Sequence, residues 1–320
     1  MIPGVAEDRR SGGPVLAGTR WLLVAFAVLT LLAVVQLLVL SDVADRLWAW
    51  TIRTELTAAF VGAAYAAGFV LAVVSLRQRD WSLIRVPIIT VTAFTWLTAI
   101  ATVIHLHRLH MVDGEAFQRA VAWIWVAVYL VIPLACLAVV VRQERHRTRR
   151  RGPALRPMPE WLTAVLATEG AVLGAAGVVL YVSGSTVHHH EPRVAAGFWP
   201  WELMPLSSQV IGAWLIALAL AAALAIHQGD LSRLLVSAVT YCTFGVFQFV
   251  AVFWYWPQLR RDDVWLWGYL LLLAAIVLTG TYGWRAARDA ARDESGPDRS
   301  VDARRPATIG TPGPDGPRGG

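Results

Sequence analysis

Six of the eight histidines fall in two short stretches, "HLHRLH" (His105, His107, His110) and "HHH" (His188, His189, His190). Imidazole suits Zn, Cu, Ni and Fe, and Asp113, Glu115 and Glu191 stand nearby as oxygen ligands. A metal ion bound at one face is therefore one chemistry open to this chain. The spacing is not a strong signature for it. A zinc site needs imidazoles converging at about 2.0–2.1 Å. Three consecutive histidines do that only if their loop bends sharply, and His105 and His107 leave a helix on different faces. The other reading is solvated loop histidines that titrate at about pH 6. No HExxH, GxSxG, P-loop or GxGxxG pattern occurs, and no Ser-His-Asp set can be assembled. The balance is against an enzyme, with no cofactor expected beyond that metal ion.

A second chemistry is proton or substrate handling inside apolar helices. Glu169 is the ninth residue of "WLTAVLATEGAVLGAAGVVLYV" (161–182). At about 1.5 Å rise per residue it lies on the order of 12 Å into a hydrocarbon layer of about 30 Å. A carboxyl there is a functional hypothesis by default. The alternative is a protonated acid hydrogen-bonded to a neighbouring helix. Thr92, Thr95, Thr98 and Thr102 share one helix face, and 150 residues on stand Cys242, Gly245, Gln248 and Val252. Glu169, Gln248, Thr95 and Thr98 are thus candidates for a polar path. The competing reading is helix packing, with Thr bonding its own backbone.

The elements that would position these residues are membrane helices. The chain of 320 residues is 57% hydrophobic and 16% charged, against about 25% charge in soluble domains. Eight apolar runs of bilayer length occur, at about 21–40, 56–76, 83–106, 119–141, 161–182, 208–227, 233–254 and 265–284. Backbone groups in lipid must be paired within the segment, so each run is expected to be helical. The fold class is all-α, a polytopic transmembrane bundle of eight spans. The first run is too long for a signal core and is expected to be retained. Cys136 and Cys242 lie within spans, with no metal or disulfide motif.

The net charge of +6 is carried by arginine alone, since the chain has no lysine. With the N-terminus inside, 21 of the 28 basic residues fall on the inner side and seven on the outer, as the positive-inside rule expects. Both termini are then cytoplasmic and the location is the plasma membrane. The Arg142–Arg156 loop is a topology determinant first and a contact for anionic lipid headgroups second. Nucleic acid is not an expected partner; another membrane protein or a second copy is.

Sliding the chain on itself by 150 residues lays Leu56, Gly62, Asp80, Ser82 and Phe94 over Leu206, Gly212, Asp230, Ser232 and Phe244. An offset of 142 lays Trp123 and Trp125 over Trp265 and Trp267. A four-helix unit duplicated in tandem follows, both copies pointing the same way. The expected divisions are 1–18 cytoplasmic, 19–142 first repeat, 143–158 basic linker, 159–285 second repeat and 286–320 disordered tail. Trp48/Trp50, Trp123/Trp125, Trp199/Trp201 and Trp265/Trp267 all lie next to outer helix ends. They are expected to be interface anchors, their indoles in the headgroup layer; a substrate-binding aromatic cluster is the alternative. Asp80 and Asp230 are expected to cap the helices that follow them.

The stretch "FWPWELMPLSSQVIGAW", with "GDLSR" and "YCTFGVFQFVAVFWY" after it, resembles a group of polytopic actinobacterial membrane proteins. These share a WPW-x-L-x-PL helix entry, and the likeness is clearest over 199–256. It implies membrane location and architecture, not a chemistry. Three functions follow as expectations. The first is an accessory or structural membrane component. The second is a small-molecule or proton-linked transporter using Glu169. The third is an outer-face histidine-rich metal-binding membrane protein or enzyme.

Overall fold

The computed structural model describes residues 12–146, 156–186 and 197–294. Eight helices are long and apolar enough to cross a membrane. They are α1 (Ala17–Val34, continued by a π-helical turn Val35–Val39), α2 (Glu55–Leu76), α3 (Trp81–Ile104), α4 (Ala116–Arg145), α5 (Glu160–Thr186), α6 (Pro205–Gln228), α7 (Leu235–Trp254) and α8 (Val264–Glu294). The chain is an all-helical, multi-pass membrane protein. The 295–320 tail and most of the basic linker lie outside the described residues.

Local chemistry sets the helix ends. Asp80 caps α3, its carboxylate accepting from the Ser82 amide at 2.8 Å, and Asp230 does the same for Ser232 at 3.1 Å. Glu115 and Gln118 form a reciprocal capping box at α4. Pro205 opens α6, where a missing N–H costs nothing, and Gly229 closes it in the left-handed region at φ 61°.

Small residues decide which helices are central. The apolar window of α2 is 72% buried and that of α6 56%, against 22–28% for α1, α4, α5 and α8. Both central helices are rich in Ala and Gly, which let neighbours approach closely. A Cβ on Gly62 would come within 2.5 Å of the Leu38 backbone nitrogen in α1. One on Gly212 would come within 2.7 Å of the Gly177 carbonyl and 2.8 Å of the Tyr181 nitrogen in α5.

The first four helices do not form a bundle apart from the last four. α1 packs on α2 and α5 on α6; α3 packs on α4 and α7 on α8; between the sets, α2 lies on α7 and α6 on α3. Several backbone bonds recur at matching places. The Val15 amide donates to Arg79 and the Trp81 amide to Gly13; the Met158 amide donates to Gly229 and that of Leu231 to Arg156. The turns after α3 and α7 match as well, Arg108 to His105 and Gln258 to Tyr255.

Candidate functional site

Glu169 is 4% exposed on α5. Its Oε1 accepts from the Thr279 hydroxyl of α8 at 2.9 Å, and its Oε2 accepts from the Tyr241 hydroxyl of α7 at 3.0 Å. One carboxyl thereby ties three helices. The partners were not legible beforehand, because nothing local marks a Thr and a Tyr on two other helices as its donors.

The other proposed path residues do not join it. Gln248 of α7 is fully buried and its amide donates to the Phe60 carbonyl of α2 at 3.0 Å. Thr95 donates to the Thr92 carbonyl at 2.9 Å; Thr92 and Thr102 likewise bond carbonyls of their own helix. The Thr98 hydroxyl is buried beside the Tyr129 hydroxyl of α4. This is how threonines bond in packed membrane helices.

The tryptophans divide into two groups, and only one faces outward. Trp123, Trp265 and Trp267 are exposed on the helix surface, while Trp48, Trp50, Trp125, Trp199 and Trp201 are buried. The expectation of eight outward anchors is corrected for those five. Residues 48–50 before α2 and 199–201 before α6 tuck their indoles between the helices. Trp50 Nε1 donates to Ser207 at 3.1 Å, and Trp201 Nε1 donates to Thr57 at 3.0 Å. Each loop thus anchors on the opposite set of helices. The signal was in the sequence: Thr57 and Ser207 are the hydroxyls that the 150-residue offset pairs. The 142-residue register is also replaced. Tyr269, not Trp267, packs on Trp199 and Trp201 as Trp125 packs on Trp48 and Trp50.

The histidines separate too. His110 bonds Thr51 at 3.0 Å and faces the Trp48 carbonyl at 3.4 Å, so it fastens the first tryptophan loop. Arg260 plays that part in the second, donating to the carbonyls of Trp199 and Pro200. His105 is buried at the end of α3, beside the Gly184 carbonyl, the Gln209 side chain, Arg108 and His107. Burial first, then the Arg108 charge, push its imidazole down to about 4. Tyr255 holds the corresponding place, its hydroxyl 2.7 Å from that of Ser41. His107 lies 6.0 Å from His105, ring to ring. Among the described residues no three His, Cys, Asp or Glu side chains gather to hold a metal. His188, His189 and His190 lie outside the described residues.

Two apolar cavities adjoin these residues. One of about 200 Å³ lies between α1 and α4 and reaches Trp214 of α6. The other, about 90 Å³, is lined by Tyr241 and Thr279 among others. Leu71, Val91, Phe94 and Trp214 border both.

Compared with family models, with curated proteins and with solved structures, the chain matches none.

Proposed function

We propose that this is a plasma-membrane protein with both termini in the cytoplasm, serving as a non-enzymatic accessory or structural component beside another membrane protein. The observation that carries the reading is the use made of Glu169. The acid expected to do chemistry has both oxygens engaged by Thr279 and Tyr241, so it serves helix packing. The arginine asymmetry supports the orientation. The matching backbone pairings at 13–15 and 156–158, with the reciprocal Trp50 and Trp201 bonds, support descent from a duplicated four-helix unit. Extraction into native nanodiscs, followed by mass measurement, tests the accessory role. A fixed stoichiometry with a second membrane chain is the expected result; a solitary protomer overturns it.

One observation favours a transporter as the second reading. Both donors to Glu169 border the smaller cavity, which adjoins the larger one at Phe94 and Trp214. A proton carried by that carboxyl would have space beside it. In proteoliposomes under an imposed pH gradient, this reading requires a proton flux that Glu169→Gln abolishes. The accessory reading requires no difference between the two proteins.

A further inference from the structure

The larger cavity has an unusual wall. Trp48, Tyr65, Phe94, Trp125, Tyr129 and Trp214 surround it. Phe94 and Trp214 lie 4.2 Å apart between ring centroids, and Trp125 and Tyr129 lie 4.3 Å apart. Its rim includes Leu32 of α1 and Ile124 of α4, 57% and 58% exposed on the lipid-facing surface. It therefore opens sideways, into the hydrocarbon, rather than to water. At about 200 Å³ it exceeds the engineered apolar cavity of about 150 Å³ that admits benzene. There is room for one or two fused rings and none for a whole lipid, so a tail would leave between α1 and α4.

No charged side chain lines this space, so it offers no counter-charge to an ion. Gln36 is the one side-chain amide there, and it makes no hydrogen bond among the described residues. It sits in the π-helical turn Val35–Val39, the single break in the regular ladder of α1. Turns of this kind occur often at functional sites. An amide lining an apolar wall lacks a partner that a ligand oxygen would supply. Aromatic walls favour flat rings by offset or edge-on contact. We propose that the α1–α4 cavity binds the planar ring of a neutral, carbonyl-bearing membrane lipid of the isoprenoid-quinone class, with Gln36 bonding a ring oxygen. This rests on the membrane placement of the chain and not on the partner proposed above.

The test is equilibrium dialysis of radiolabelled menadione against the full chain in phosphatidylcholine nanodiscs, with empty nanodiscs as the blank. Saturable binding is expected. Gly68→Leu should abolish it, because a Cβ there points at Thr30 and Trp214 from 3.4–3.5 Å and a longer side chain fills the space. Val128→Phe fills it from α4 should the first variant fail to fold. Gln36→Leu should weaken binding about tenfold, the effect of one hydrogen bond to an otherwise dry group. Binding that survives both filling variants overturns the site. Equal binding of 2-methylnaphthalene, untouched by Gln36→Leu, overturns the carbonyl class. Tighter binding of benzyltrimethylammonium would make the walls a cation cage and overturn the neutral class. No saturable menadione binding overturns the proposal outright.

Discussion

Helices α1 and α4 meet around an apolar cavity, whereas α5 and α8 meet through a hydrogen bond. The corresponding positions explain the contrast. Offsets of 143 for the first helix and 150 for the third, read from the backbone pairings, place Glu169 where Phe26 is and Tyr241 where Val91 is. Phe26 and Val91 both line the larger cavity. In the second set the same places hold an acid and its phenolic donor, with Thr279 reaching in from α8. A buried carboxyl is tolerated only with partners, so Glu169 and its two hydroxyls work as a unit. One helix arrangement thus accepts two solutions, a polar clasp on one side and an aromatic-walled opening on the other.

What both sides share should be the most sensitive to change. Gly212 meets the α5 backbone, which cannot yield as a side-chain tip can. Gly212→Ala should cost about 3 kcal/mol or break the α5–α6 contact altogether. Gly68→Ala, on the open side, meets only Thr30 and Trp214 side-chain ends at 3.4 Å and beyond, and should stay within about 0.5 kcal/mol of the parent. Thermal unfolding in detergent compares them. Equal losses would mean that the α5–α6 contact yields to an added methyl as readily as the open side does.

The next effect in size separates His105 from Tyr255. His105 is held neutral, its imidazole pushed down to about 4 from an ordinary value near 6.5. The unfolded chain binds this proton more readily than the folded one, so stability falls as pH drops from about 6.5 to about 4 and levels off below. The full span corresponds to about 3 kcal/mol. Arg108 and His107 are the charged or titratable groups beside it. His105→Tyr, which copies the other set, should flatten the pH dependence of the melting temperature in that window. A slope that persists would assign it elsewhere.

Glu169→Gln should cost less, about 1–2 kcal/mol. The amide keeps one acceptor oxygen for Thr279 and Tyr241, which now need two. Phe26→Leu across the molecule leaves no donor unpaired and should cost about 1 kcal/mol. If Glu169→Gln leaves unfolding unchanged, the clasp is not what closes the second side.

The eight spans and two of the caps were legible because bilayer length and an Asp two residues before a Ser act locally. The sideways cavity was not, since its walls come from α1, α2, α3, α4 and α6 together, and no single segment encodes a gap. The tryptophans fell between. A Trp-x-Trp pair at a helix end reads equally as a headgroup anchor and as a plug. Only the position of a hydroxyl on a distant helix decides, and Trp50 and Trp201 found theirs at Ser207 and Thr57. His105 and His110 show a related limit. Clustered in sequence, they point to different neighbours, and Tyr255 and Arg260 stand at the matching places of the second set.

The smallest effect tests the kinship of the two sides most directly. Trp50→Phe and Trp201→Phe each remove one indole N–H and keep most of the ring packing. Each should cost about 1 kcal/mol, the loss of a buried neutral hydrogen bond with its hydroxyl partner left in place. The two bonds are of nearly equal length and join the same pair of positions in opposite directions. The losses should therefore agree within about 0.5 kcal/mol and add in the double variant, since the bonds share no atom. A large imbalance would show that one loop carries the contact between the sets, and that likeness of position has outlived likeness of role. Agreement would leave the clasp and the cavity as the places where the two sides differ in what they do.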